Sequence, residues 1–193
     1  TIFKMFSKKF FNFITNISFT DRILIKTHKN FCKLFYFKKK NFFRKVSDNK
    51  IGIKHSKLYS DGNYLSSLHV NNNRINELGT IEMEGNEVFK IAVNKLSEVA
   101  EETLTDCNMT SEDIHWMVPH QANIRIINAI AKRIKLPLDK VILTLDKHGN
   151  TSAASIPLAL DTGVRDGRIK KGDTILFEGI GGGFSWGSIL LEY

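Results

Sequence analysis

Apolar residues recur at three- and four-residue spacing between Glu84 and Leu104, at Val88, Phe89, Ala92, Leu96, Val99, Ala100 and Leu104. That stripe predicts a long amphipathic helix. Asp113 to Val118 is a short apolar run ending at Pro119, which reads as a buried strand. Gln121 to Lys135 is helical in pattern, with Ala122, Ile126, Ala129, Ile130 and Ile134 on one side. Val141 to Leu145 reads as a second buried strand and Thr151 to Val164 as a third helix. Thr174 to Phe177 and Ser188 to Leu191 complete the set as strands, joined through Gly179-Ile180-Gly181-Gly182-Gly183. Strands alternating with helices predict an α/β fold with parallel neighbours in its sheet. The last two strands are close enough in sequence to pair antiparallel, so the expected sheet is mixed, with helices on both faces.

The third helix departs from the amphipathic pattern. Ala153, Ala154, Ile156, Leu158, Ala159 and Leu160 leave almost no polar face before Asp161. A helix that is apolar all round is buried all round. One sheet covers one of its sides, so a second subdomain or a partner chain is expected to cover the other.

Composition divides the chain near Lys50. The 193 residues carry a net charge of +8, yet residues 1–50 hold 13 Lys and Arg against Asp21 and Asp48, a net of +11. Residues 51–193 hold 15 Lys and Arg against 18 Asp and Glu, a net of −3. The first 50 residues also contain 11 of the 14 Phe and neither Gly nor Pro. Their Lys-, Phe- and Asn-rich texture follows neither a helical nor a two-residue period, so this segment is expected to be irregular rather than a folded domain. Three origins fit it: drifted or out-of-frame sequence with A- and T-rich codons, an acid-poor organelle leader, or a basic aromatic strip binding nucleic acid. Its longest uncharged run, Phe10 to Thr20, is about half the roughly 20 residues that a membrane-spanning helix needs. The two cysteines cannot form a disulfide framework, which points to a reducing compartment. The chain starts with Thr1, as a piece of a longer sequence would.

Two clusters carry candidate chemistry. His120 follows the first buried strand in Val118-Pro119-His120-Gln121-Ala122-Asn123. His148 and Asn150 follow the second in Leu145-Asp146-Lys147-His148-Gly149-Asn150-Thr151-Ser152. Both lie where a strand's C-terminal end meets a helix, the place where open α/β sheets collect ligands. A neutral imidazole and a carboxamide converging there can donate to one oxygen and stabilise an oxyanion or enolate. Taken singly, His120 reads more simply as a helix cap and Asn150 as a turn residue. His115, His120, His148 and Cys107 match no metal-ligand spacing, so no metal is expected. The glycine run fails as a dinucleotide fingerprint, because position 184 is Phe and a strand follows. Its expected task is close passage of backbone past a ligand or another strand.

Three stretches together resemble one family. Trp116-Met117-Val118-Pro119-His120-Gln121-Ala122-Asn123-Ile124-Arg125, then His148-Gly149-Asn150-Thr151-Ser152-Ala153-Ala154, then Gly181-Gly182-Gly183-Phe184-Ser185-Trp186-Gly187 are similar in content, order and spacing to β-ketoacyl-acyl-carrier-protein synthase III. The resemblance runs from about Ile51 to Tyr193 and implies the C-terminal half of a thiolase-like fold, with the third helix lying between two sheets. It implies an acyltransferase of fatty acid biosynthesis that condenses acetyl-CoA with malonyl-acyl-carrier protein to give acetoacetyl-acyl-carrier protein. By this resemblance His120 and Asn150 are catalytic, holding the malonyl thioester oxygen during decarboxylation. Gln121, Ala122, Asn123, Ile124 and Arg125 correspond to the carrier-binding stretch. Lys90 and Arg125 correspond to basic residues that meet the acidic carrier protein. Gly85, Asn86, Phe89 and Asn123 would line the pantetheine channel, and Gly181, Gly182, Gly183 and Phe184 form backbone near the site. The implied partners are acyl carrier protein and coenzyme A thioesters, with no permanently bound cofactor, no nucleic acid, and a homodimer in the intact enzyme.

The family's nucleophilic cysteine belongs to the N-terminal half, and neither Cys32 nor Cys107 stands in a matching context. The chain is therefore expected to be the C-terminal part of a condensing enzyme, with the other half encoded elsewhere. The alternatives are a non-catalytic module that binds carrier protein or coenzyme A, and a non-functional remnant. A bacterial-type cytoplasmic location is expected, or a plastid or other organelle if residues 1–50 are a leader.

Overall fold

The computed structural model describes residues 52–71 and 79–193. The expectations for residues 1–50, Cys32 among them, lie outside the described residues. Strand β1 (Gly52–Ser60) leads through a 3-10 turn (Gly62–Ser67) to a two-stranded antiparallel ribbon of β2 (Leu68–Asn71) and β3 (Thr80–Met83). Helix α1 (Gly85–Asp106), strand β4 (Trp116–Pro119) and helix α2 (Ile124–Arg133) follow. The chain ends with a short helix α3 (Leu145–His148), helix α4 (Ser155–Arg165), and strands β5 (Thr174–Gly181) and β6 (Ser185–Glu192).

The main sheet has the order β1-β6-β5-β4. β4 and β5 run parallel, whereas β6 is antiparallel to both β5 and β1. The sheet is mixed, as the short connection between the last two strands predicts. Helices α1 and α2 cover one face, where Ala92, Leu96, Val99, Ile127 and Ile130 pack with Met117, Leu176 and Leu190. The opposite face is thinner: Val118, Ile142, Ala159, Ile169 and Ile175 form its buried cluster beneath α4. Lys57 of β1 reaches both Glu102 and Asp106 of α1 at 3.0 Å, and the Tyr59 hydroxyl donates to Glu102 at 2.6 Å. These contacts tie the edge strand to the long helix.

Several boundaries differ from the sequence expectation for physical reasons. Strand β1 was not anticipated, because Lys54, His55 and Lys57 interrupt its apolar pattern. Helix α2 begins at Ile124 rather than Gln121, since the Asn123 side chain accepts from the Arg125 amide at 2.8 Å and caps it. Val141 to Leu145 is not a strand. Val141 makes a single parallel bridge to Met117, the Ile142 amide donates to the Met117 carbonyl at 2.9 Å, and Leu145 already opens α3. The third helix divides into a 3-10 turn (Ser152–Ala154) followed by α4.

Helix α4 approaches the sheet along a stripe of small residues, Ser155, Ala159 and Gly163, which are its buried positions. A Cβ at Gly163 would lie 2.7 Å from Ile169 Cδ1 and 3.2 Å from Ile142 Cδ1, so a larger residue there would have to displace those side-chain tips. The larger apolar residues Ile156, Leu158 and Leu160 stay partly exposed. Leu158 lines an open cleft of about 410 Å³ with Lys147, His148, Asp161, Thr162 and Arg165. Within this chain, α4 is therefore covered on one side only.

Gly187 sits where β6 meets β1, and a Cβ there would lie 2.5 Å from the Lys57 carbonyl oxygen. Backbone cannot yield as a side-chain tip can. Gly187→Ala is expected to lower unfolding free energy by about 1–3 kcal/mol. Denaturant titration of the full chain checks this, and an unchanged midpoint would refute the close packing.

Candidate functional site

The site forms at the C-terminal ends of the parallel strands β4 and β5. His120 is the first residue beyond β4, and its backbone amide donates to the Glu178 carbonyl of β5 at 2.7 Å. This bond fixes where the chain leaves the sheet. The His120 ring turns toward α4, placing Nδ1 2.5 Å from Ser155 Oγ. The same Oγ accepts the Gln121 backbone N–H at 3.2 Å. His120 does not cap α2; Asn123 does. Burial pushes the imidazole below its ordinary pKa, while the Ser152 backbone beside it partly offsets the shift. The ring is thus neutral at pH 7, as a hydrogen-bond donor to a developing anion requires.

Asn150 stands two residues before Ser152, and its Oδ1 accepts the Ser152 amide at 2.9 Å. It does hold a turn, as the simpler reading has it. With the carbonyl oxygen committed, the two Nδ2 hydrogens are the donors that remain. Ser152 has a left-handed φ of 52°, an uncommon conformation for a residue with a Cβ. The His120 ring and the Asn150 carboxamide are therefore both bound to one six-residue stretch, residues 150–155. His148 points elsewhere: it is exposed and lines the cleft beside α4.

Gln121 is fully buried, and its carboxamide is committed to backbone on both sides. Nε2 donates to the Pro119 carbonyl at 2.9 Å and to the Ile142 carbonyl at 3.1 Å, while Oε1 accepts the Thr144 amide at 2.9 Å. Its side chain is turned inward, away from any surface partner. Asn123, Ile124 and Arg125 are exposed, and Ala122 is half-buried.

The other expected residues border the same end of the sheet. The Arg125 guanidinium lies over the Phe89 ring, 5.4 Å from its centroid, joining the first turns of α1 and α2. Gly85, Asn86 and Lys90 are exposed along the start of α1. Gly181 to Phe184 connect β5 to β6, with Gly181 and Gly182 exposed. Gly182 backs onto Leu68, whose carbonyl would lie 3.3 Å from an added Cβ. Phe184 is buried and meets the edge of Tyr64, so its ring supports the loop from beneath. The Glu84 amide donates to the Ser67 carbonyl at 2.9 Å, which anchors α1 to the turn before the ribbon.

Cys107 is the one cysteine among the described residues. It caps the far end of the 22-residue α1, about 30 Å along the helix from Gly85. Burial raises its thiol pKa, opposite to what a nucleophile needs. Among the described residues no group of three or more His, Cys, Asp and Glu side chains could hold a metal ion, and no helix is long and apolar enough to cross a membrane.

Sequence reasoning missed Ser155 and Glu178. Ser155 had no signal beyond its place at the start of an apolar helix. Glu178 lies among strand residues and reads as a surface position, yet it is 1% exposed, and burial pushes its carboxyl up to about 8. The folded chain binds this proton more tightly than the unfolded chain, whose carboxyl titrates near 4.5. Stability is therefore full below about pH 4.5 and declines as pH rises toward 8. Glu178→Gln is expected to remove that decline, so its melting temperature should exceed the parent's at pH 8 by more than at pH 5. Parallel thermal melts at the two pH values check this; an equal difference would show that Glu178 is ionised without penalty.

Known proteins resemble this chain in sequence and in fold. The family profile described as 3-oxoacyl-[acyl-carrier-protein (ACP)] synthase III C terminal matches residues 104–193. β-Ketoacyl-[acyl-carrier-protein] synthase III of Vesicomyosocius okutanii is 72% identical over 147 residues, covering 76% of this chain and 46% of the relative. The crystal structure of 3-oxoacyl-[acyl-carrier-protein] synthase III from Aquifex aeolicus superposes with a TM-score of 0.72 at 42% identity, covering 76% of this chain and 46% of that one. The Pseudomonas aeruginosa synthase III structure gives a TM-score of 0.71 at 34% identity, with the same coverage. The chain spans about half the length of the relatives it matches. In sequence and in fold, this chain is similar to the C-terminal region of the β-ketoacyl-acyl-carrier-protein synthase III family.

Proposed function

We propose that this chain supplies the malonyl half of a condensing site, acting with a cysteine-bearing half to join acetyl-CoA and malonyl-acyl-carrier protein into acetoacetyl-acyl-carrier protein. The observation that carries the reading is the shared anchorage of His120 and Asn150. The imidazole is held by the Ser155 hydroxyl and the Ser152 backbone and the carboxamide by the Ser152 amide, so one short stretch, residues 150–155, sets both side chains, with the carboxamide Nδ2 left to donate. In decarboxylation the bond between the malonyl carboxylate and its methylene carbon breaks and carbon dioxide leaves. The electron pair moves into the thioester carbonyl, whose oxygen becomes an enolate. Two preorganised donors stabilise that charge as it develops. The enolate carbon then attacks the acetyl thioester on the partner half's cysteine, and the cysteine leaves as thiolate.

Lys90 and Arg125 supply positive charge beside the entrance for an acidic carrier protein, and Phe89 fixes the Arg125 guanidinium by its ring. Gly85, Asn86 and Asn123 border the path of the pantetheine arm. The same exposed face supports a second reading, a module that binds carrier protein or coenzyme A without turnover.

With a cysteine-bearing half supplied, Asn150→Ala is expected to reduce malonyl decarboxylation about 10²–10³-fold while acetyl loading of the cysteine stays near the parent level. Carbon dioxide release and acyl-enzyme formation are measured separately. Equal loss of both would make Asn150 structural, and saturable carrier binding without either activity would favour the binding module.

A further inference from the structure

We infer that Gln121 is a positioning residue whose carboxamide replaces the backbone rungs that Pro119 cannot make, and so fixes the spacing between the segments bearing His120 and Asn150. The structural content stands on this chain alone, and the consequence for turnover rests on the proposed decarboxylation site. The bridge between β4 and residues 141–144 pairs Met117 with Val141, and the Ile142 amide donates to the Met117 carbonyl at 2.9 Å. In a parallel ladder continued from that bond, the amide of residue 119 donates to the Ile142 carbonyl, and its carbonyl accepts the Thr144 amide. Residue 119 is proline and has no N–H to give. The ladder therefore fails at its next rung.

Gln121 supplies both missing bonds. Its Nε2 donates to the Ile142 carbonyl at 3.1 Å, and its Oε1 accepts the Thr144 amide at 2.9 Å. Nε2 also donates to the Pro119 carbonyl at 2.9 Å, the acceptor that Thr144 would have used. Both amide hydrogens are thus spent on backbone, and at 0% exposure the side chain has no surface to offer a carrier protein. This scaffold role replaces the carrier contact that the family resemblance implies for the position. The clamped segment leads directly to the site: the Thr144 carbonyl accepts the Lys147 and His148 amides at 3.1 and 2.9 Å, which starts α3, and Asn150 lies two residues past that helix. On the other side, His120 stands between the proline and the glutamine.

The test begins with nitrogen NMR of the parent full chain, in which the Gln121 side-chain amide signals are identified by their loss in Gln121→Met. Both hydrogens are expected to exchange with deuterium at least about tenfold more slowly than those of the exposed Asn123 side chain. Equal exchange overturns the inference whatever any variant does. Gln121→Glu then probes the donors. Its protonated acid can still donate to one carbonyl and accept from Thr144, whereas its carboxylate faces two carbonyls with no hydrogen to give. The melting temperature of Gln121→Glu is expected to approach the parent's at pH 5 and to fall behind it at pH 8, while the deficit of Gln121→Met is the same at both. A pH-independent deficit in Gln121→Glu overturns the inference. In the enzyme assembled with a cysteine-bearing half, Gln121→Met should lower kcat for decarboxylation about 10–100-fold and leave KM for malonyl-carrier protein within about twofold. A raised KM with unchanged kcat would make Gln121 a carrier contact and overturns the positioning role. Unaltered kcat in Gln121→Met beside its loss in Asn150→Ala overturns the positioning role alone. Unaltered kcat in both overturns the decarboxylation site, and slow exchange then still supports the ladder.

Discussion

The carboxamide of Gln121 holds together two segments that the sheet joins only at one bridge. The Val141–Thr144 segment meets β4 through Met117 and Val141, and beyond that point the ladder stops. Gln121 continues it with side-chain atoms, donating to Ile142 and accepting from Thr144 where a neighbouring strand's backbone would otherwise stand. A buried amide that satisfies three backbone groups is fixed in place, because each lost bond would leave a polar atom without a partner. Everything the site requires follows from that constraint. His120 precedes Gln121 and Asn150 follows the clamped segment, so the separation of the two donors depends on how firmly the amide holds.

Much of this was legible in the sequence, and what was not has a physical cause. The long stripe from Val88 to Leu104 announced α1, because a helix covering a sheet on one face must show its period. For His120 and Asn150 the strand-to-helix positions and the three motifs in register carry the expectation, and the structure ties both side chains to residues 150–155. Val141 to Leu145 was misread because an apolar run has the same composition whether backbone or a side chain completes its hydrogen bonds. Ser155 and Glu178 escaped because a single polar residue in an apolar element carries no period. Their burial is set by what packs against them, which is a property of the assembled layers.

Helix α4 is covered on one side only within the described residues. Its small-residue stripe fits the sheet closely, whereas Leu158 and its neighbours retain exposed apolar surface. The chain covers 46% of its relatives' length. A further layer placed against that side would bury the helix completely.

The central claim is that enolate stabilisation resides in this chain's own residues and does not depend on the cysteine. Carbon dioxide release from malonyl-acyl-carrier protein, measured with the chain assembled on a cysteine-bearing half whose nucleophile is changed to alanine, tests it most directly. The account predicts that condensation is lost while decarboxylation continues within about tenfold of the rate with the cysteine intact. Loss of carbon dioxide release together with condensation would contradict it.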